Sequence, residues 1–530
     1  MALLACLGQI GLHAWVNLGE TSARVPDPRR TYRLTRFVIL RLLGFVYVAA
    51  FYSALRQIVP LIGANGLLPI GAFLDRAHSY YVSSSAAWYF IPTIFWINHS
   101  DVALLAVCWC GLALSCLVLA GFANAPIMTV LWALYLSIIH VGQVWYGYGW
   151  EIQLSETGFL AIFLCPLLDW RPFPRCEPPT VVIWLFRWLA FRIMLGSGLI
   201  KLRGDSVWRD LTALYYHFET QPIPNALSRW YHFLPRIVLK LGVLFNYLAE
   251  IVAPWFVFGP RVGRLIAGVV MTAFQLTLIT SGNLSFFNIL TIVPALACLD
   301  DAFWAKLLPR SLVQRAAAAE PSFGMNAAGW LFACVVAVLS IKPVENLMSS
   351  NQIMNYSFTE FDPIEIVNTY GAFGSVGRER MNVIFEGTDD DLPLPSADWK
   401  PYPYLALPVD LNRRPVQVAP YQPRLDWQMW FASMATYRQY PFTLNLVWKL
   451  LHNDPGALSL FGGNPFPSHP PRYIRATLYH YWFAQPGNPQ GRWWNREVLD
   501  SWLPPLSIDD PQLRQFLVAY GWLPSPASGK

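Results

Sequence analysis

The chain has 530 residues, of which 55% are hydrophobic and only 13% are charged, and its formal net charge is +6. Soluble domains usually contain about 25% charged residues, so this composition excludes a wholly soluble protein. The basic residues lie beside long apolar runs, as residues that set membrane topology do. The sequence therefore predicts an integral membrane protein, and the net charge does not indicate nucleic-acid binding.

The first two-thirds of the chain contains apolar runs that match the length of a membrane span. A helix of about 20 apolar residues crosses the hydrocarbon core of a bilayer. Eight runs are long enough, and a ninth, Thr157–Leu168, is short and would suit a re-entrant or broken helix. The eight predicted spans are Phe37–Leu55, Val102–Gly121, Pro126–Tyr146, Thr180–Leu202, Leu241–Phe258, Leu265–Thr280, Leu284–Leu299 and Ala327–Ile341.

These runs divide the chain into three parts. Residues 1–36 form a predicted cytoplasmic or interfacial segment, residues 37–343 a multi-pass bundle with a polar loop at 203–235, and residues 344–530 an extramembrane region. The last part contains short alternating segments such as Arg475–Phe483, which are typical of strands. The predicted fold class is an α-helical polytopic membrane bundle followed by a β-rich or α+β soluble domain.

The distribution of basic residues predicts the orientation, because loops rich in Lys and Arg stay in the cytoplasm. Basic residues precede the first and the last predicted span, namely Arg29, Arg30, Arg33, Arg36, Lys306, Arg310 and Arg315. The N-terminus is then cytoplasmic and residues 344–530 are external, which nine crossings satisfy and eight do not. Asn98 and Asn355 lie in sequons on the external side and are candidate glycosylation sites.

The strongest functional signal is the segment Phe191–Asn225. Arg187, Met194 and Lys201 are spaced by sevens, which places them on one helical face inside an apolar run. A charged residue at the centre of a span costs about 2.5–3.5 kcal/mol, so its presence indicates a function or a buried partner. A polar loop follows directly, and its candidate functional residues are Asp205, Trp208, Arg209, Asp210, His217 and Glu219. Catalysis, partner binding and a structural clamp of paired charges all remain open for this segment.

Two further acidic positions lie in or beside apolar runs. Glu151 belongs to the aromatic segment Trp145–Glu156, which otherwise suits an interfacial aromatic belt. Glu250 lies inside a predicted span and needs a partner, for which Arg187 and Arg192 are candidates. No phosphate-binding loop, metal-ligand spacing or hydrolase motif is present, so we predict no metal, no cofactor and no catalytic residues.

Long segments of the chain resemble the lipase maturation factor family, in order and from about residue 35 to about residue 523. Besides the segment at 191–225, they include LIGANGLLP (61–69), VWYGYGWEIQLSETGFLAIFLCP (144–166), SGNLSFFNILTIVPALACLDD (281–301), IVNTYGAFGSVGRER (366–380), APYQPRLDWQMWFA (419–432), NPFPSHPPRYIR (464–475) and WWNRE (493–497). The resemblance implies a multi-pass membrane protein of the endoplasmic reticulum, or of the inner membrane in a bacterium, that assists folding and assembly of secreted homodimeric lipases such as lipoprotein lipase.

The same resemblance implies a non-enzymatic factor, surrounded by membrane lipid, whose C-terminal domain holds the client lipase. Within that domain, Arg424 and Asp426 are predicted to pair and to fix a strand or turn. That strand or turn would present Trp427 and Trp430 as exposed aromatic side chains to the client. Trp493 and Trp494 are further candidates for the same surface, and packing in the core is the alternative that we favour for most of these four rings.

A fainter resemblance supports an alternative function. The pattern Gly198-x-x-Lys201-Leu202, followed by Asp205 and Trp208, is similar to the vitamin K-dependent carboxylase group of membrane proteins. That resemblance implies a membrane enzyme with Lys201 as base and with Asp205 and His217 nearby. A transporter is less favoured, because the chain offers one candidate broken helix and no matching second one.

Overall fold

The computed structural model describes residues 27–81, 83–316, 319–391 and 397–524. The predicted interfacial segment at residues 1–36 therefore lies mostly outside the described residues. Most of residues 27–348 is helical, and the helices in chain order are α1 (Arg33–Ile62), α2 (Ile70–Tyr80), α3 (Ser84–Phe90), α4 (Asp101–Ala120), α5 (Ala125–Val141), α6 (Gly149–Leu164), α7 (Thr180–Arg203), α8 (Ser206–Arg209), α9 (Leu214–Thr220), α10 (Ser228–His232), α11 (Arg236–Tyr247), α12 (Arg261–Ser281), α13 (Phe287–Ala295), α14 (Asp301–Trp304), α15 (Arg310–Ala316), α16 (Phe323–Leu339) and α17 (Ile341–Met348).

Five helical stretches are long and apolar enough to cross a membrane. They are α1, α4, α7, α12 and the stretch Arg236–Phe258, in which α11 continues through a π-helical turn and a 3₁₀ segment. Helices α16 and α17 form a sixth candidate that bends by 42°. The remaining two of the eight predicted spans correspond to the shorter α5 and to Phe287–Cys298. The short run at 157–168 lies mostly in α6, a buried helix of 16 residues.

Local sequence explains where several of these helices begin. The side chains of Ser100 and Asn124 accept hydrogen bonds from the backbone N–H groups of Ala103 and Ile127, which caps α4 and α5. By contrast, α1 begins at Arg33, four residues before the predicted boundary, because the Asp301 carboxylate accepts hydrogen bonds from its first N–H groups.

The C-terminal region combines helices with one antiparallel sheet, as the sequence predicted. The strands are β1 (Arg380–Thr388), β2 (Lys400–Pro401), β3 (Tyr473–Phe483) and β4 (Trp494–Ser507), in the order β2-β1-β3-β4. The register pairs Phe385 with Ala476 and Tyr481 with Arg496. The helices are α18 (Arg424–Ala432), α19 (Phe442–Leu450), α20 (Pro455–Leu458) and α21 (Pro511–Ala519). Strand β1 contains Glu386, which accepts hydrogen bonds from three side chains of β3.

The C-terminal region packs against one end of the helical bundle. There, Asn445 donates to the carbonyl of Leu67 over 2.9 Å, and Asn283 donates to the carbonyl of Val416 over 2.8 Å. At the opposite end, the Arg33 backbone N–H donates to Asp301 over 3.0 Å, and other loops meet through backbone hydrogen bonds. The bundle therefore has one end covered by the C-terminal region and one end formed by short loops.

Candidate functional site

Helix α7 carries three buried cations, and it lies against α6, α13, α16 and the π-helical turn Leu248–Val252. In the most apolar stretch of α7, 83% of the residues are buried, which is the largest share among the five long helices. Arg187 donates to the carbonyl of Ala297 over 2.9 Å and to the hydroxyl of Tyr32 over 2.7 Å. Among the residues that the structure describes, no carboxylate pairs with this cation, and two oxygen acceptors hold it.

Lys201 lies near the end of α7 and forms an ion pair with Glu250. Its Nζ atom lies 2.6 and 2.5 Å from the two carboxylate oxygens, and 3.1 Å from Oδ1 of Asn246. The sequence suggested Arg187 or Arg192 as the partner of Glu250. In the structure its partner is Lys201 instead. The π-helical turn that carries Glu250 brings it to the face of α7 where Lys201 lies.

Arg192 pairs with Glu156 of α6, and both side chains are buried. Two residues of the C-terminal region complete this node. Tyr370 donates its hydroxyl to Glu156 over 2.7 Å, and the backbone carbonyl of Asn368 accepts from Arg192 over 2.7 Å. Buried ion pairs are tolerated when such extra hydrogen bonds satisfy the remaining polar atoms. The node thus joins α6, α7 and the C-terminal region.

A second node forms between Glu151 of α6 and Arg424 of α18. Their side chains are fully buried and lie 2.9 Å apart, and Tyr135 also donates to Glu151. The guanidinium of Arg424 stacks 3.4 Å from the ring centroid of Tyr146. The predicted pairing of Arg424 with Asp426 is therefore wrong, because α18 directs Arg424 into the bundle.

Asp426 has a separate role in α18. Its Oδ2 atom accepts hydrogen bonds from the backbone N–H groups of Ala406 and Leu407, at 2.7 and 2.9 Å. Burial raises the pKa of Asp426 to about 6, although these N–H groups act in the opposite direction. Asp426 thus fixes a loop of the C-terminal region, and it lies on a helix rather than on a strand or turn.

The predicted aromatic surface is mostly internal. Trp427 is buried, with its ring 5.0 Å from that of Trp150, and Trp494, the first residue of β4, is buried against Phe483. Trp430 is half-buried and donates to the carbonyl of Thr220 over 3.0 Å, and Trp493 is half-buried as well. Packing, rather than an exposed client surface, is therefore the role of most of these rings. Trp427 and Trp430 contact the bundle and the 203–235 loop, whereas Trp494 stacks on Phe483 within the C-terminal region.

The loop at 203–235 packs between the bundle and the C-terminal region, and only part of it faces solvent. Asp205 accepts two hydrogen bonds from Arg378, at 2.9 and 3.0 Å, and this contact lowers the pKa of Asp205 to about 2. Trp208 donates to the carbonyl of Phe373 over 2.8 Å, and Arg209 donates to the carbonyl of Leu202 over 2.8 Å. The hydrogen bonds of these three side chains fix the conformation of the loop.

The remaining candidates of this loop differ in exposure. Asp210 is exposed. Glu219 accepts a hydrogen bond from the backbone N–H of Phe483 over 2.7 Å, and burial raises its pKa. Burial, together with the nearby Lys201, lowers the pKa of His217 to about 4. The structure brings His217 and Lys201 to one cavity, whereas Asp205 points away towards Arg378.

The sequence reasoning missed Arg380, which is buried and donates to the carbonyls of Glu219, Gln221 and Pro222. No local signal marks it, because its neighbours Arg378 and Glu379 are charged and exposed. Both sequon asparagines, Asn98 and Asn355, are exposed. Within the described ranges, no group of three or more His, Cys, Asp or Glu side chains could hold a metal ion.

Comparison with known proteins identifies the family. Lipase maturation factor 1 of Bos taurus is 45% identical to this chain, over 93% of the chain and 92% of the relative. Its Homo sapiens counterpart is 43% identical, over 94% and 92%. The chain belongs to the lipase maturation factor family. Lipase maturation factor 2 of Xenopus laevis is more distant, at 29% identity over 93% of the chain and 85% of the relative.

The family models match both parts of this lipase maturation factor family member. The model of the lipase maturation factor transmembrane domain matches residues 34–306, and that of the C-terminal domain matches residues 366–504. No solved structure matches the chain. The family match and the apolar helices make the protein a multi-pass membrane protein with a role in lipase maturation, and its sheet-containing C-terminal region is the soluble part.

Proposed function

We propose that this protein is a non-enzymatic factor of the endoplasmic reticulum membrane that assists folding and assembly of secreted homodimeric lipases. In a bacterial source, the membrane would be the inner membrane. The observation that carries the proposal is the similarity to lipase maturation factor 1 over more than nine-tenths of the chain. In this proposal the bundle ends near residue 343, and residues 344–530 hold the client lipase.

The buried ion pairs support a structural role for the charges of α7. Both carboxylate oxygens of Glu250 accept hydrogen bonds from the Lys201 ammonium, and the carboxylate of Asp205 accepts from Arg378. A general base needs a free lone pair within reach of its substrate, and an ammonium paired with a carboxylate at 2.5 Å has none. These contacts favour a clamp over the alternative of a carboxylase-like enzyme with Lys201 as base.

The outer strand β4 supports client binding by the C-terminal region. It lies at the edge of the sheet and, in the described part of the chain, pairs with β3 alone. Val498 and Leu499 of this strand are 65% and 46% exposed. An edge strand presents unpaired backbone N–H and C=O groups, to which an extended segment of a partly folded client can add.

One experiment tests both parts of the proposal. Cells that lack their own lipase maturation factor and express a lipoprotein-lipase-like enzyme receive this chain or a variant, and secreted lipase activity and mass are measured. The Val498→Lys/Leu499→Lys variant should remain in the membrane but rescue specific activity several-fold less well. Met434→Lys, at an exposed apolar residue outside the sheet, is the matched control and should rescue fully.

The ion pair is tested in the same cells. Lys201→Met leaves Glu250 buried without its partner and should lower the amount of protein in the membrane. Lys201→Met/Glu250→Leu replaces both charges with apolar side chains of similar volume, which is often neutral for stability, and should restore rescue. Loss of rescue by the double variant at normal membrane levels would favour the enzyme. Absence of rescue by the parent chain would contradict the lipase client.

A further inference from the structure

A cavity of about 340 Å³ lies beside the Lys201–Glu250 pair. Helices α7, α11 and α12 form its walls, and residues of the 203–235 loop and of the C-terminal region cover one side. Its lining is mainly apolar, and includes Ile193, Met194, Phe218, Phe245 and Phe274. Ligand sites of proteins have similar volumes and a similar mixture of many apolar and few polar groups.

The polar groups of the cavity are concentrated near Lys201. Lys201, Glu250 and Asn246 satisfy one another, and together they carry no net charge. Ser197 and His217 also line the cavity and are 5% and 6% exposed, yet within the described residues neither side chain has a hydrogen-bond partner. Buried polar groups normally have a partner, so these two indicate a polar group of a ligand at this end.

The lining residues that are exposed all lie on the two outer helices. They are Val238 and Leu241 of α11 and Thr277 of α12. The neighbouring outward residues of α11, Ile237 and Leu244, are apolar and 64% and 47% exposed, as expected for a surface in lipid. Lys240 on the same face is exposed as well, and a lysine near the end of a span can extend its ammonium to the head groups. The cavity therefore opens between α11 and α12, towards the hydrocarbon of the bilayer.

We propose that this cavity binds a long acyl chain, which enters from the bilayer between α11 and α12 and places its carbonyl end near Ser197 and His217. The apolar part of the cavity does not fill with water, and if it is empty its lining forfeits dispersion contacts. With about 30 Å³ for a group of the size of water or methylene, the volume accommodates on the order of ten methylene groups.

The neutral polar end also limits the head group. Since the charge of Lys201 is balanced by Glu250, the site offers hydrogen bonds but no free cation for a phosphate. The carbonyl of a lipid ester or of a protonated fatty acid satisfies these donors. The proposal does not depend on lipase maturation, because it rests on the cavity alone.

Photolabelling of the purified full-length protein tests the proposal. Two diazirine probes are compared in nanodiscs, a palmitic acid and a phosphatidylcholine with the diazirine on its acyl chain, and labelled peptides are located by mass spectrometry. We expect labelling of lining residues on α7, α11 and α12, and at least five-fold less of it with excess unlabelled palmitate or phosphatidylcholine. The probe that labels the lining identifies the source of the chain, and labelling by either supports the site.

Two variants should abolish the labelling. Gly242→Leu places a side chain in the cavity. Its Cβ would lie 2.6 Å from Cδ1 of Leu214, which is the end of a flexible side chain and can move aside. Thr277→Trp narrows the exposed opening, and so still tests the site if Gly242→Leu does not fold. Gly324→Leu is the control, because it introduces the same side chain at a glycine whose added Cβ would have no neighbour within 4 Å. Unchanged labelling in both cavity variants, or labelling confined to the outer faces of the helices, would overturn the proposal.

Discussion

Buried charges in this protein are stabilised by partners that come from distant parts of the chain. Arg192 and Glu156 lie 36 positions apart, and Glu151 and Arg424 lie 273 positions apart. Removing one member of such a pair typically costs about 3–5 kcal/mol, because the other charge stays buried without its partner. At the scale of residues, these pairs therefore determine which helices and loops lie next to one another.

Glu365 is the buried carboxyl with the clearest consequence for pH. Burial, and then the neighbouring Asp362, raises the pKa of Glu365 to about 8, from a usual value near 4.5. The folded state therefore binds more protons than the unfolded state between about pH 4.5 and pH 8, and the free energy of unfolding falls as the pH rises through this window.

Glu365→Gln should remove this pH dependence, since the amide cannot ionise. Each unit of pKa difference corresponds to about 1.4 kcal/mol, so we expect the Tm of the purified variant in detergent to exceed that of the parent by several degrees at pH 8. The two Tm values should converge near pH 4.5. Glu360→Gln, at an exposed carboxyl in the same loop, is the control. A Tm difference that is constant with pH would contradict the assignment.

Helix α7 is the central element of the bundle. Its sequence marks it as unusual, because an apolar run with three cations is expensive in lipid unless neighbouring elements supply acceptors. For Arg187 those acceptors are Tyr32 and Ala297, and for Arg192 and Lys201 they come from α6, from the π-helical turn and from the loop at 368–370. The loop approaches α7 closely at Gly196, where an added Cβ would lie 2.3 Å from the carbonyl oxygen of Tyr370.

Gly196→Ala should force this loop away from α7 and weaken the hydrogen bonds from Asn368 and Tyr370 to Glu156. Overpacking of a close contact costs about 1–3 kcal/mol, so we expect a lower Tm, measured by fluorescence-detected size exclusion after heating. Gly324→Ala, on α16 with nothing within 4 Å, controls for the change in helix propensity. An unchanged Tm for Gly196→Ala would mean that the loop is not held against α7.

At the scale of the whole molecule, the two ends of the bundle differ in charge and covering. The uncovered end collects the basic residues that precede α1 and α15 and those in the first turn of α12, together with Arg171 and Arg175. The other end carries the C-terminal region and the loops at 63–100 and 203–235. If the shorter α5, α6 and Phe287–Cys298 traverse the bundle like the longer helices, the chain passes nine times between these ends. The predicted orientation, with a cytoplasmic N-terminus and an external C-terminal region, requires an odd number of crossings such as nine.

Glycosylation provides a test of this topology. In cells with an endoplasmic reticulum, Asn98→Gln and Asn355→Gln should each remove one glycan, seen as a step in gel mobility that glycosidase treatment abolishes. Asn283, in a third sequon, is buried between the bundle and the C-terminal region, and Asn283→Gln should leave the glycan count unchanged. If the parent chain carries no glycans and its C-terminal tag lies on the cytosolic side of the membrane, the orientation is the reverse of the predicted one.

The sequence by itself determined the apolar helices, the class of the C-terminal region, the strand at β3 and the membership of the family. These features depend on local composition, period and long matching segments, which can be read without knowledge of the fold. It also marked Lys201, Arg187, Glu151 and Glu250 as unusual, because charge inside an apolar run is visible in one dimension.

Only the tertiary structure decided how these residues are used. It paired Glu250 with Lys201 and Arg424 with Glu151, buried Trp427, and formed the cavity between α7, α11 and α12. Residues that are close in sequence, such as Arg424 and Asp426, have separate partners because positions two apart on a helix point in different directions. Pairing and cavities depend on the relative placement of distant elements, which local sequence patterns do not encode.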